Sequence, residues 1–445
     1  MSDPRTEFIE AATWHGNLDR AKAILGAHPE LAGSDIHTAA ILADDAAVRR
    51  FLEHDPGSAT APSGPYGGNA LVYLGLSKYL RLDARRSDAF LRAATALLDA
   101  GADPNSGFWT TGRHPEFETA LYGAAGVAHH VGLTRLLIER GADPNDEEAV
   151  YHSPESHDLG AMKVLVETGR ITPDNLSLML IRKHDWHDYH GANYLLEHGA
   201  DPNRARTRGL QPMHHALARD NALAMLGLLL DHRADPTVVS GGLSAVALAA
   251  REGRSDVLEL FEQRGIPIEL EGVDRLIAAC ARADAAGVRS ITAAEPHLVP
   301  EVLELGGELL ARFAGTGNPP AVRQLLDLGV SVTAAFAQGD GYFGIPPGSL
   351  AIHVAAWRAA PTVVKLLIER GSPVDLPDPH GRTPLALAVR ACVDSYWTEL
   401  RSPESARAML EAGASVRGVP FPSGYAAVDD LLRAHGATAA SGAAG

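Results

Sequence analysis

Cysteine, aromatic side chains, positive charge and long apolar runs are all scarce in this sequence of 445 residues. Its two cysteines, Cys280 and Cys392, are too few for a disulfide framework and lack a CxxC spacing. No stretch approaches the roughly 18 uninterrupted apolar residues of a membrane span, and the segment MSDPRTEFIE lacks the basic and apolar blocks of a secretory signal. We therefore expect a soluble, cytoplasmic protein that has no membrane partner.

The charge balance argues against nucleic acid as a partner. The chain carries 39 basic and 55 acidic residues, a formal net charge of -16, which opposes attraction to a phosphate backbone. This acidity favours a partner protein with basic patches. With 46% hydrophobic residues the chain is apolar enough to fold. The preference for Arg over Lys, with abundant Ala and Gly, is typical of a GC-rich bacterial genome.

One phrase recurs along the chain and indicates its organisation. LLDAGADPN occupies residues 97–105, LLIERGADPN residues 136–145 and LLEHGADPN residues 195–203. The glycines that follow apolar helix ends are spaced by one or two units of about 33 residues, which predicts stacked supersecondary units. Each unit reads as two short antiparallel helices and a turn. The repeated Gly and Pro stop the second helix, so the phrase is scaffold.

Two segments resemble ankyrin repeats: GRTPLALAV (381–389), close to that family's TPLHLAA opening, and SLAIHVAAWRAAPTVVKLLIERGSPVD (349–375). The resemblance implies an all-α solenoid of helix-turn-helix units with short β-hairpin fingers. Pro154 predicts a short first helix in its unit. About twelve units and a C-terminal cap helix (425–437) are expected: 5–33, 34–62, 63–105, 106–145, 146–173, 174–203, 204–237, 238–269, 270–300, 301–333, 334–375 and 376–416.

An internal similarity suggests two consecutive arrays. Residues 8–32 parallel residues 276–300, and each segment ends in a Pro-containing turn instead of GADPN. We therefore divide the array into a first part, 1–269, and a second part, 270–437, which continues the first. The low-complexity tail, 438–445, is predicted to be disordered.

Two insertions stand where ankyrin repeats have their fingers: the first finger, SGFWTTGRHPEFE (106–118), and the second finger, AAFAQGDGYFGIPPGS (334–349). Aromatic side chains are typical interface anchors because they bury a large area with few rotatable bonds. The alternative is that they fold back and cover the insertion's own apolar base. Only 6% of the chain is aromatic, yet the fingers hold six such residues, which we predict to bind the partner: Phe108, Trp109, Phe117, Phe336, Tyr342 and Phe343.

The segment RKHDWHDYHG (182–191) gives an alternative site. Imidazole and carboxylate groups suit Zn, Fe or Ni, and histidines three residues apart on a helix share a face. An enzyme, or a metal-binding or small-molecule-binding protein, would use His184, Asp185, His187 and Asp188. The competing interpretation is structural, because ankyrin-like units place His, Asn or Asp at this turn to join loops and cap helices.

Catalytic motifs do not support the alternative. HExxH and GxSxG are absent, and GPYGGN (64–69) lacks the order of a phosphate-binding loop. His214 and His353 occupy the TPLH position, where the resemblance implies a structural hydrogen bond. The favoured function is therefore a non-catalytic scaffold that binds another protein through its concave face and fingers, with no cofactor and no metal.

Overall fold

The computed structural model describes residues 3–205, 209–395 and 397–438. The predicted disordered tail, 438–445, lies outside these residues except for Thr438. The described chain is mostly helical with a few short strands, as the resemblance implies. None of its helices combines the length and the apolar composition that a membrane crossing requires.

The chain forms two compact units. Unit 1 comprises Met1–Ala216 and Leu228–Ala234, and unit 2 comprises Leu217–Gly227 and Asp235–Gly445. The predicted boundary between two arrays, at residue 269, falls inside unit 2 and stays a prediction.

The helices of unit 1 are α1 (Pro4–Ala12), α2 (Leu18–Ala27), α3 (Ile36–Ile41), α4 (Asp45–His54), α5 (Ala70–Gly75), α6 (Lys78–Leu82), α7 (Ser87–Asp99), α8 (Ala120–Tyr122), α9 (Val131–Glu139), α10 (Glu147–His152), α11 (Gly160–Val166), α12 (Pro173–Asp185) and α13 (Tyr189–Glu197). A π-helical turn, Gly123–Val127, continues α8, and 3-10 turns lie at Pro29–Gly33, Pro56–Ala59 and Ala84–Arg86. The next two helices, α14 (Pro212–Ala218) and α15 (Leu223–Asp231), contain residues of both units.

The other helices of unit 2 are α16 (Ala245–Arg251), α17 (Ser255–Gln263), α18 (Gly272–Ala281), α19 (Ala285–Ala294), α20 (Leu298–Glu304), α21 (Gly306–Gly315), α22 (Pro319–Leu328), α23 (Ala351–Trp357), α24 (Pro361–Glu369), α25 (Pro384–Asp394), α26 (Glu404–Glu411) and α27 (Ala426–Ala434), with a 3-10 turn at Thr398–Leu400. Three antiparallel hairpins pair β1 (Gly107–Trp109) with β2 (Phe117–Thr119), β3 (Val239–Ser240) with β4 (Leu243–Ser244), and β5 (Ala335–Phe336) with β6 (Ser349–Leu350).

Helix hairpins stack on their neighbours within each unit. In unit 1 the first helices α3, α5, α8, α10 and α12 follow one another in one layer, and α4, α7, α9 and α11 form the second layer. Unit 2 repeats this arrangement with α21, α23 and α25 against α22, α24 and α26. Close packing depends on small residues: a Cβ on Gly75 would lie 2.6 Å from the Ala120 carbonyl oxygen, so α5 and α8 approach backbone to backbone.

A left-handed residue turns the chain from the first to the second helix of many hairpins. The next residue then caps the second helix: Asp44, His130, Asp188 and Asp284 each accept a hydrogen bond from a backbone N–H three residues ahead. Because this turn recurs, it explains why His, Asp or Asn appears at this place. The left-handed residues are Trp14, Ala43, His129, His187, Asp220, Gly253, Ala283, Gly317 and Ala359.

The GADPN phrase joins successive units, as a scaffold interpretation requires. Gly101, Gly141 and Gly199 are left-handed after the second helix. The asparagine side chain then reaches the next repeat: Asn105 Nδ2 donates to the Gly141 carbonyl at 3.2 Å, and its Oδ1 accepts from the Asp143 N–H at 2.8 Å. The short first helix predicted near Pro154 is also present, since α10 ends at His152.

Candidate functional site

The first finger is a short hairpin, and its register determines which side chains lie on the same face. Phe108 faces Glu118 across the strands, and Trp109 faces Phe117. Because opposite residues in a hairpin share a face and neighbours alternate, the first pair lies on one face and the second pair on the other. Phe108 and Glu118 are buried, whereas Trp109 is 67% exposed and Phe117 is 36% exposed.

Phe108 attaches the finger to the helices below. Its ring stacks on Tyr66 with centroids 5.2 Å apart, and the Trp14 ring meets it edge-on at 5.7 Å. Phe108 is therefore a packing residue in this structure rather than a free anchor. Trp109 and Phe117 contact each other, at 5.1 Å between centroids, and remain on the surface.

Beside the buried face of the finger lies a cavity of about 380 Å³, which we call the acidic pocket. Its walls come from the end of α1, from β2, from α8 and from α10. The rim residues His15, Glu116 and Tyr151 are exposed. The pocket is lined by Trp14, His15, Glu116, Glu118, Tyr122, Glu148, Tyr151 and His152.

Glu118 is the buried acid of this pocket. Its side chain is 2% exposed, and Oε2 has no hydrogen-bond partner. Burial, then repulsion from Glu148 and Glu116, raises the pKa of the Glu118 carboxyl to about 7. The group therefore changes charge close to neutral pH.

His152 closes one side of the pocket as a cation. Its Nε2 lies 3.3 Å from Glu148 Oε2, and its Nδ1 lies 3.0 Å from Glu155 Oε2. Burial lowers the pKa of His152, but these two carboxylates outweigh burial and raise it to about 9. Glu155 also pairs with Arg182. Among the described residues, no basic side chain pairs with Glu116 or Glu118.

Aromatic side chains form the rest of the pocket wall. The Trp14 indole N–H donates to the Tyr122 hydroxyl at 3.2 Å. Burial raises the pKa of Tyr122 to about 12, so this phenol stays neutral. Tyr151 is covered on one side by the Arg182 guanidinium, 4.2 Å from the ring centroid. Ring faces and unpaired carboxylates therefore lie together, which is the chemistry that holds organic cations.

The second finger folds over its own unit. Phe336 is 2% exposed and packs with Ala311, Ile345 and Val354. The finger's remaining aromatic residues are half-buried under arginines: Arg219 lies 4.2 Å from the Tyr342 ring, and Arg358 lies 4.0 Å from the Phe343 ring. The enclosed space there is only about 30 Å³, roughly room for one water.

The His/Asp cluster has structural roles. Helix α12 ends at Asp185, and His187 is the left-handed turn residue, so His184 and His187 do not share a helix face. The face-sharing geometry behind the metal hypothesis is therefore absent. His184 is fully buried, and burial lowers its pKa to about 3. Across the described residues, no group of three or more His, Cys, Asp or Glu side chains is arranged to hold a metal.

The carboxylates of the His/Asp cluster form hydrogen bonds and ion pairs with neighbouring groups. Asp188 caps α13 and accepts from the buried Lys183 ammonium at 2.7 Å. Asp185 lies 2.8 Å from His215 Nε2 and also binds Arg182. The TPLH-type His353 likewise accepts from the Leu350 N–H at 3.0 Å, and its other nitrogen lies 2.9 Å from the Leu376 carbonyl.

Sequence reasoning missed most of the acidic pocket. Glu116 and Glu118 lie within the first finger, but the prediction from sequence names only the aromatic residues of that finger. One available signal is the alternation in EFE, which places two acids on the face opposite Phe117. Trp14 and Glu148 come from two other repeats, and Tyr122 lies on the helix after the finger, so these residues leave no joint pattern in the chain.

Comparison with known proteins supports the repeat assignment locally. The family described as "Ankyrin repeats (many copies)" matches residues 346–388. A 70-residue segment, 16% of this chain, is 41% identical to the human protein "BCL-6 corepressor-like protein 1". That match spans only 4% of the human protein's length.

Proposed function

We propose that this chain is a non-catalytic interaction module that binds another protein through the surface around the first finger. The observation that carries the proposal is the Trp109–Phe117 pair, two large aromatic side chains held in contact on an exposed hairpin face. Exposed aromatic residues on a rigid support are typical of interface hot spots.

The repeat architecture supports this function. Ankyrin repeats are generally protein-binding modules. We propose about twelve such units along the chain, nine of which carry the left-handed turn between Trp14 and Ala359. The net charge of -16 favours a partner with basic patches over nucleic acid. We place the partner-binding residues on the first finger, since Phe336, Tyr342 and Phe343 are engaged within unit 2.

The test is affinity capture from a lysate of the native cells, with wild type compared against a Trp109→Ala/Phe117→Ala variant. A Val239→Ala/Leu376→Ala variant is the matched control, because both side chains are exposed apolar groups outside the first finger. We expect a protein that is retained by wild type and the control and lost by the finger variant. Equal retention by all three would contradict the assignment to the first finger, and no retained protein would contradict the function.

A further inference from the structure

Glu118 is a buried acid with one carboxylate oxygen, Oε2, to which none of the described residues donates a hydrogen bond. Glu118 lines the acidic pocket, and its Oε2 has no hydrogen-bond partner although the residue is almost completely buried. Native proteins leave few such atoms, because a desolvated polar group without a partner is costly. A ligand that donates a hydrogen bond to Glu118 would remove that cost.

Two of the cations near the pocket are already paired with other side chains. His152 is held between Glu148 and Glu155. Arg182 pairs with Glu155 and Asp185 and covers the outer side of the neighbouring tyrosine. Neither group forms an ion pair with Glu118, and a bound ligand would supply the donor that these two side chains do not.

The charges around Glu118 favour a positively charged ligand in the pocket. Glu148, Glu116 and Asp146 all disfavour a negative charge on Glu118, and His152 compensates only in part. A positive group placed in the pocket would therefore interact favourably with several carboxylates at once. Across the described residues no group of three or more His, Cys, Asp or Glu side chains is arranged to hold a metal, so an organic cation is the better candidate.

The aromatic walls of the pocket favour a ligand whose cationic head is carried on an aliphatic chain. Trp14 and Tyr122 line the interior, and Tyr151 stands at the exposed rim. Lysine and arginine carry a charged head on an aliphatic chain that packs along aromatic surfaces, and the head itself is attracted to ring faces. A cavity of about 380 Å³ is large enough for one such side chain.

We propose that the acidic pocket binds the lysine or arginine side chain of an exposed segment of the partner protein, with Glu118 accepting a hydrogen bond from its cationic head. This inference rests on the proposed function and adds the chemistry of the partner. Trp109 and Phe117 lie on the opposite face of the hairpin from Glu118. The pocket and the exposed aromatic pair are therefore separately testable.

The test selects phage-displayed random linear peptides on the full-length chain. Wild type, Glu118→Gln and Glu301→Gln are used in parallel, and Glu301 is the matched control because it is an exposed glutamate on α20, outside the pocket. We expect peptides recovered on wild type and on the control to share a lysine or arginine at a fixed position. This enrichment should disappear on Glu118→Gln.

A recovered peptide is then synthesised with lysine, arginine or norleucine at the fixed position and titrated against each protein. Norleucine should weaken binding to wild type about tenfold or more, as expected for the loss of a charge-assisted hydrogen bond. Binding to Glu118→Gln should respond little to the same exchange. The lysine and arginine peptides show which cation fits better.

A Tyr151→Ala variant keeps the carboxylate and removes part of the rim, so it provides an independent measurement if Glu118→Gln folds poorly. We expect it to weaken binding of the basic peptide several-fold. Recovery of peptides without a shared basic residue, or no recovery at all, overturns the pocket proposal. The proposed function would still stand if the Trp109→Ala/Phe117→Ala variant lost its lysate partner.

Discussion

The first and second fingers contain the same kinds of residue and have different surroundings. Each is an insertion between helix pairs that carries three aromatic residues. In the first finger two of the three aromatic rings stay at the surface, and the pocket with unpaired carboxylates lies at the opposite face of the hairpin. In the second finger one ring is buried and two are stacked beneath arginines of unit 2.

The difference arises from the helices beneath each finger. Under the second finger, Arg219 and Arg358 supply cations to its rings, and α21 and α23 supply an apolar floor. In the first finger, within the described part of the chain, Phe108 alone contacts aromatic rings from outside the finger. Aromatic content alone therefore does not identify a binding loop, because the surrounding elements decide whether the rings are already occupied.

The largest effect should come from removing the ring that anchors the second finger. Phe336→Ala opens a cavity against Ala311, Ile345 and Val354, and we expect it to lower the free energy of unfolding by about 3 to 5 kcal/mol. Urea denaturation followed by circular dichroism measures the change. Phe336→Leu, which keeps most of the volume, should cost clearly less. A loss below about 1 kcal/mol for Phe336→Ala would mean that this finger is not packed.

The acidic pocket should reduce stability in a pH-dependent way. Because the folded chain raises the pKa of Glu118 to about 7, the folded state holds this proton more tightly than the unfolded state. The free energy of unfolding therefore falls as pH rises from about 4.5 to 7, because Glu118 loses its proton more readily in the unfolded state. Above pH 7 the full destabilisation by the ionised carboxylate is present. Glu116, Glu148, Asp146 and His152 set the field on Glu118.

Glu118→Gln removes this titration. We expect the variant to gain stability relative to wild type at pH 8, by at most about 3 kcal/mol, and to lose that gain near pH 4. Urea denaturation measures the free energy of unfolding of both proteins at both pH values. Comparing the two pH values cancels any effect of the amide that does not depend on pH. Glu301→Gln, at an exposed position outside the pocket, is the control, and its difference from wild type should change less between the two pH values. A pH-independent difference for Glu118→Gln would contradict the assignment.

Local features of the fold were predictable from the sequence. Helix ends follow from Gly and Pro, so the stop before Pro154 and the GADPN turns could be placed without a structure. The metal hypothesis depended on a similar local point, because it assumed a helix through His187. The chain instead turns there, as it does at His129, and the residue that follows caps the next helix.

Features that depend on several repeats were not predictable. Alternation along β1 requires Phe108 and Trp109 to point in opposite directions, but the sequence does not say which one is buried. That choice depends on Tyr66 and Trp14, which are distant in the chain. The acidic pocket has the same origin, since its acids and rings meet only after the units stack.

A smaller loss of stability is expected from Phe343→Leu, which separates the contribution of ring stacking in the second finger from that of apolar burial. Phe343→Leu keeps an apolar side chain and removes the ring that lies 4.0 Å from the Arg358 guanidinium carbon. We expect a loss of about 1 kcal/mol, typical of a partly desolvated cation–π contact. A double-mutant cycle with Arg358→Met isolates the pair from the ion pair that Arg358 forms with Asp220. Zero coupling would show that Phe343 contributes only apolar area.

The smallest effect on stability should come from Trp109, the most exposed aromatic residue of the first finger. Trp109→Ala removes a side chain that is 67% exposed and touches chiefly Phe117, so we expect a change within about 0.5 kcal/mol. The same denaturation experiment measures it, with Phe108→Ala as the buried neighbour, for which a loss of about 3 kcal/mol is expected. If Trp109→Ala destabilised the chain as much as Phe108→Ala, both rings would be structural. The first finger would then resemble the second, and the contrast between a free and an occupied finger would fail.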